Sequence, residues 1–409
     1  VPWRFVARAE CLRCHNAWAG ETLSFNWLQL SGAGEGSELQ RLENLGLLGV
    51  KNPPKPSVHL TNPYDEKAGL NDRARAWLQV NCATCHRNGA GGGVPSWFNY
   101  ELSIEETRTV NAQPTRGDFG IKNARVVAPG DPFTSTLFYR INTEGSGHMP
   151  HIGSRLADAD GVALMRDWIA TIPSKETESQ KLAELTTALA RKDFDQLLST
   201  MNGALFLLDS ISTKAPANDQ QKVIALAASH TNGLVRDLFQ RLLPPERRRQ
   251  TLGATINPQT ILALKGNATR GQELFVGASQ CARCHVSAGA GRAFGPDLTA
   301  IGTKYNRVQL LEQILYPSKN IAPEYKVTAL TLRDESELSG FILKRDSAEI
   351  VIRDESLAER RIKLTAIKEA RESALSAMPE GLLAAMTAQE AADLLEYLAS
   401  NKTAGSTSR

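Results

Sequence analysis

Cys-x-x-Cys-His occurs three times in this chain of 409 residues, and the three copies use all six cysteines. They are Cys11-Leu12-Arg13-Cys14-His15, Cys82-Ala83-Thr84-Cys85-His86 and Cys281-Ala282-Arg283-Cys284-His285. The spacing brings two thiols and one imidazole to a single rigid macrocycle. It marks covalent c-type haem attachment, with thioethers to the vinyl groups and the His as proximal iron ligand. A structural Zn site usually needs two ligand pairs close in one module, and a thioredoxin-like pair needs no adjacent His. Here each pair stands alone and runs straight into His. Three covalently bound haem c groups are therefore expected, on Cys11, Cys14, Cys82, Cys85, Cys281 and Cys284, with His15, His86 and His285 on iron.

The sixth ligand decides what such a haem does. Met raises the reduction potential, His lowers it, and an open position admits substrate. The chain has five Met. For the third haem Met378 is expected, in Ser376-Ala377-Met378-Pro379, where Pro stiffens the ligand loop. Met386 competes, but it lies near the start of the last helix and suits core packing. For the second haem Met149 has the same Met-Pro context. Met165 sits at core spacing in a helix, and His148 and His151 flank Met149 as alternative ligands. The first haem has no Met in its own segment. His59 is the spare His there, with His148 or His151 reaching across, or an open site, as alternatives. His230 lies far from every motif and reads as surface or packing.

The segments that must position these groups differ in character. Length alone suggests about two to four domains. Residues 1–65 hold the first motif, with Pro53, Pro54, Pro56 and Pro63 breaking any periodicity, and are expected to pack on the next domain. Residues 66–175 read as a haem domain. Asn71-Asp72 is expected to cap a helix running into Cys82, and Asp158–Ile172 forms a closing helix. Residues 176–265 carry helical spacing and no motif, so they read as a spacer. Within it, Arg247-Arg248-Arg249 reads as a solvated turn. Residues 266–400 form another haem domain. Its short helices give way at 325–365 to about four strands of period two, then to a closing helix, Thr387–Ser400; 401–409 is a tail. The expected fold class is mainly α: cytochrome c-like haem domains, a helical spacer and a small β-insertion.

The stretch from Arg270-Gly271-Gln272-Glu273-Leu274-Phe275 through Cys281–His285, Gly295-Pro296-Asp297-Leu298 and Met378-Pro379 resembles class I cytochrome c. The resemblance implies that Gly271 and Phe275 interlock with Tyr397 on the last helix. It also implies that the Pro296 carbonyl accepts the proximal imidazole N–H, which fixes the ring and tunes the iron. More narrowly, residues 230–400 resemble a bacterial haem-binding domain family found fused to dehydrogenase-like β-propellers. That match rests on Val235–Phe239, Ile261–Gly266 and Ser376–Gly381. Residues 1–175 resemble a poorly characterised bacterial family with two Cys-x-x-Cys-His motifs, through Cys11–His15, Arg73–Trp77, Asn81-Cys82 and Pro129–Pro132.

Composition narrows the function classes. Hydrophobic residues make up 42% and charged residues 22%, so packed cores are feasible. The formal charge of +3 is offset by haem propionates, and nothing points to nucleic acid. No apolar run approaches a membrane span. Haem is attached outside the cytoplasmic membrane in bacteria, so export to the periplasm or the cell exterior is expected. Opening at Val1-Pro2-Trp3 without a starting Met, the chain reads as a processed protein or a fragment. The leading expectation is a periplasmic triheme c-type cytochrome. It would take electrons from a dehydrogenase, of quinoprotein sugar or alcohol type, and pass them to a small cytochrome or oxidase. The alternative is a haem enzyme, a peroxidase or small-molecule reductase, using an open site at the first haem. A docking role for residues 176–265 and the strands is compatible with the first.

Overall fold

Trp77 and Phe275 each sit on a helix that delivers the chain into a Cys-x-x-Cys-His motif. The computed structural model describes residues 15, 23, 26–31, 37–49, 59–88, 90, 94–115, 117–145, 147–150, 154, 156–174, 179–213, 216–253, 255–277, 279, 281–333, 337–354 and 357–402. The chain forms two compact units. One comprises Glu10–Pro114 and Asp118–Ala227; the other comprises Val1–Ala9, Thr115–Gly117 and Ala228–Arg409.

In the unit holding Cys82, helix α1 (Leu70–Asn81) ends on the motif, with Cys82 as its C-cap. Gly69, rather than Asn71-Asp72, is the N-cap. Asp72 instead lies in the first turn, where the helix dipole favours an acid. Asn71 accepts from Trp168 Nε1 at 3.1 Å, which joins α1 to helix α3 (Ala159–Thr171). Trp77 Nε1 donates to Asp158, the N-cap of α3, at 2.8 Å. Between them lies helix α2 (Thr136–Asn142), nearly all of it buried. Helix α4 (Met201–Thr213) packs on the same core: Phe206 meets Phe133 edge to face at 5.3 Å, and Arg166 pairs with Asp209.

In the unit holding Cys281, helix α5 (Ala268–Val276) crosses helix α7 (Ala388–Ser400) at the closest possible approach. A Cβ at Gly271 would fall 2.0 Å from the Asp393 carbonyl and 2.7 Å from Tyr397 Cβ. Phe275 and Tyr397 rings pack at 5.5 Å. Around this crossing Ile261, Leu310, Leu311, Leu383, Met386 and Leu394 close one core, which Cys281 and Ala282 abut. Helix α6 (Arg307–Leu315) supplies two of these and opens on a capping box. Of the three arginines, Arg247 is exposed in a turn, whereas Arg248 and Arg249 are tied down. Arg249 bridges Asp237 and Glu390, and Arg248 donates to the Arg241 and Leu243 carbonyls.

The expectation of a mainly α chain does not hold. Helix makes up 43% and strand 13%, the latter dominated by a five-stranded antiparallel sheet. After a small ribbon, β1 (Val286–Ser287) with β2 (Ala290–Gly291), come β3 (Lys326–Leu332), β4 (Glu337–Arg345), β5 (Glu349–Arg353), β6 (Glu359–Lys363) and β7 (Ile367–Ser376). Their order is β6-β5-β4-β3-β7. β7 is the strand that composition hides. Its sequence, Ile367-Lys368-Glu369-Ala370-Arg371-Glu372, is made of helix formers, and its side chains are mostly exposed. Pairing with β3 over most of its length holds it extended.

An ion pair between a buried carboxylate and an exposed arginine locks the α5–α7 crossing. Asp393, 2% exposed, accepts from Arg270 Nε at 2.7 Å, Asn267 N at 2.8 Å and Gln389 Nε2 at 2.9 Å. Burial alone would raise its pKa. The hydrogen bonds and the Arg270 charge outweigh burial, so the pKa is lowered from 3.8. The stabilisation is therefore present above the ordinary carboxylate range and lost as pH falls through the depressed value. Asp393→Asn should cost about 2 kcal/mol at pH 7 and flatten the acid limb of stability against pH. Urea melts at pH 3, 5 and 7 check both effects.

Candidate haem sites

Both described motifs fold as the same tight turn. His86 N bonds to the Cys82 carbonyl at 2.8 Å and Cys85 N to the same oxygen at 3.1 Å. The equivalents at the other motif are His285 N and Cys284 N on the Cys281 carbonyl, at 2.9 and 3.1 Å. Each turn then accepts an aromatic amide: Phe98 N on His86 O at 2.9 Å, and Phe294 N on Cys284 O at 3.1 Å. This geometry puts two sulfurs and an imidazole on consecutive corners of one turn.

The thiols are in the wrong place for ionic chemistry. Burial pushes Cys82 up to about 12 and Cys281 up to about 11, which favours the neutral form of each sulfur. A thioether is neutral and apolar, and burial suits it. Among the described residues, no three His, Cys, Asp or Glu side chains cluster as a metal site. The residues present fit covalent haem.

The two histidines differ in support. His285 Nδ1–H donates to the Pro296 carbonyl at 2.8 Å. That bond fixes the ring and its tautomer and leaves Nε2 for iron. Desolvation lowers the His285 pKa, and the Pro296 carbonyl partly offsets it. The backbone around this ring tolerates only glycine at 291. Its φ is +107°, and a Cβ there would sit 2.0 Å from the His285 carbonyl. His86 is more apolar in setting. Desolvation first, then the charge of Arg140, holds its pKa down at about 4. Its Nδ1 makes no hydrogen bond by geometry. The Ser96 carbonyl lies close enough to raise its basicity, though not aligned as Pro296 is. Phe98 meets the His86 ring edge-on at 5.6 Å.

Of the methionines, Met165 (0% exposed), Met201 (3%) and Met386 (4%) are core residues, whereas Met149 and Met378 are half-buried in loops. Met149 N donates to the Arg140 carbonyl at 3.0 Å. The Arg140 guanidinium donates to Gly147 O at 3.2 Å and lies over Phe119 at 4.6 Å. Arg140 thus holds the Met149 segment while its charge acts on His86. Sequence reasoning had no signal for this residue, because α2 carries no motif. His148 is buried with Nδ1 at 2.6 Å from Thr143 O and Nε2 at 3.2 Å from Ser154 O, so carbonyls flank both ring nitrogens. Met378 N donates to Ser376 Oγ at 3.1 Å.

For the first motif, Cys11 and Cys14 lie outside the described residues, as does His151. His15 and His59 are both exposed. His59 Nδ1 is 3.3 Å from Ser31 Oγ, the residue that caps a short helix, Trp27–Leu30.

Residues 268–334 match the family model for cytochrome c. The match covers α5, the Cys281–His285 turn, Pro296 and the first strand of the sheet; Met378 and α7 lie beyond it. It implies covalently bound haem c, with its iron, in this part of the chain, and a role in electron transfer with redox partners. No curated protein matches the chain. No described helix is long and apolar enough to cross a membrane.

Proposed function

We propose that the chain is a triheme c-type cytochrome that conducts electrons in the periplasm, from a dehydrogenase to a small cytochrome or oxidase. The observation that carries it is the shared turn. The Cys82–His86 motif, outside the family match, repeats the two backbone hydrogen bonds of the Cys281–His285 turn inside it to within 0.1 Å. The first motif has the same residue pattern, with Cys11, Cys14 and His15.

When bound, haem c supplies a one-electron iron couple. The chain's own residues do the rest. Cys82, Cys85, Cys281 and Cys284 would hold the macrocycles, and His86 and His285 would supply imidazole. Met149 and Met378, the two methionines outside the cores, would supply the thioether ligands. A filled coordination shell leaves no substrate position, which favours conduction over catalysis. At the first haem His59 is assigned opposite His15. Its Nδ1 faces Ser31, which leaves Nε2 for iron, and two imidazoles would make this the lowest-potential centre.

Met149→Ala and Met378→Ala test the assignment. Each should abolish the weak near-infrared Met–iron band of one haem, create a high-spin fraction and lower one reduction potential. Wild-type spectra from both variants would overturn the ligand set.

A further inference from the structure

The five-stranded sheet touches both sides of the third haem site. On one side, Phe341 of β4 stacks on Phe294 with ring centroids 4.7 Å apart, inclined 28°. Both are buried, at 2% and 4% exposed. Phe294 is the residue whose amide bonds to Cys284 O, and its neighbours Gly295 and Pro296 set the His285 ring. Tyr325 closes on Phe341 edge-on at 5.7 Å, so the Phe341 ring has little freedom. On the other side, β7 ends at Ser376, whose Oγ accepts from Met378 N. Ser376 N in turn is held by Ser318 Oγ at 3.1 Å. Two successive residues of β3 link them, across a register shift on the β7 side between Lys326 and Thr328: Val327 is opposite Phe341, and Lys326 is opposite Ser376.

We propose that the sheet is a clamp that fixes the proximal and distal ligand loops of the third haem relative to each other, with Phe341 as its positioning residue. The inference rests on the assignment of Met378 as sixth ligand. Close-packed side chains transmit displacement, so a shift at Phe294 is carried through Phe341 and β3 toward Ser376. With haem bound, a loosened clamp would hold the Met378 thioether less firmly, and weaker thioether donation would favour ferric iron.

Phe341→Leu and Phe294→Leu keep apolar bulk and remove the ring stack from opposite ends. In the holoprotein, each should diminish the Met–iron band of one haem. Each should also shift the redox equilibrium of that haem about tenfold toward ferric, about 59 mV for a one-electron couple. The double variant should shift it no further than either single one. The affected wave is identified as the one missing from a Cys281→Ala/Cys284→Ala variant. A merely structural role would lower the melting temperature and leave band and potential unchanged well below it. That result in both single variants overturns the proposal. Met378→Ala, run in parallel, separates the two claims. If it abolishes the band while the Leu variants leave it intact, the clamp is wrong. If it leaves the band intact, the ligand assignment fails, and the clamp with it.

Discussion

Gly271→Val is expected to break the Cys281 unit at its most constrained point. The obstacle to the new side chain is backbone. The Asp393 carbonyl lies 2.0 Å and the Tyr397 Cβ 2.7 Å from where Cβ must go. No rotamer relieves that contact, so α5 and α7 must separate. Separation strains the Phe275–Tyr397 packing and the Arg270–Asp393 pair together, because all of them lie on the same two helices. Overpacking of this kind costs about 3 kcal/mol, or roughly 10 °C in melting temperature for a unit of this size. Gly271→Ala should show the same effect in smaller measure. Circular dichroism melts of the holoprotein check it; a Val variant melting within a degree or two of wild type would mean the helices do not cross as described.

The second large effect is on the cofactor. Cys281→Ala/Cys284→Ala should remove one covalent haem and leave the others. Cys281 and Ala282 abut the apolar cluster of Ile261, Leu383 and Met386, so the macrocycle belongs to that core. Without it the unit loses apolar area that its sparse aromatics cannot replace. We therefore expect the variant to lose part of its helical signal at 25 °C and to bind a dye for exposed apolar surface. The mirror variant, Cys82→Ala/Cys85→Ala, should lose a different haem and spare the first. Loss of every haem from either double variant would contradict separate attachment.

Much of the site was legible in the sequence because its chemistry is local. Two cysteines and a histidine within five positions need no tertiary context to be read. The Pro296 contact, eleven residues from His285, and the Gly271–Tyr397 crossing were visible only through resemblance, since neither leaves a pattern in the local sequence. What stayed hidden was of two kinds. Arg140 acts through its carbonyl, its charge and its stack on Phe119, none of which leaves a pattern in sequence. β7 was missed because Lys, Glu and Arg on a solvated strand carry no alternation. With it went the link from the sheet to Met378. The three arginines at 247–249 misled for the opposite reason. A charge run reads as solvated, yet Arg249 finds two carboxylates across the fold.

The central claim is that this chain carries three haems, one on each Cys-x-x-Cys-His motif. Mass spectrometry of the denatured holoprotein, followed by proteolysis, tests it most directly. The account predicts an intact mass equal to the polypeptide plus three haems, with one haem on each peptide containing Cys11 and Cys14, Cys82 and Cys85, or Cys281 and Cys284. A polypeptide carrying haem only on the Cys281–Cys284 peptide would contradict it.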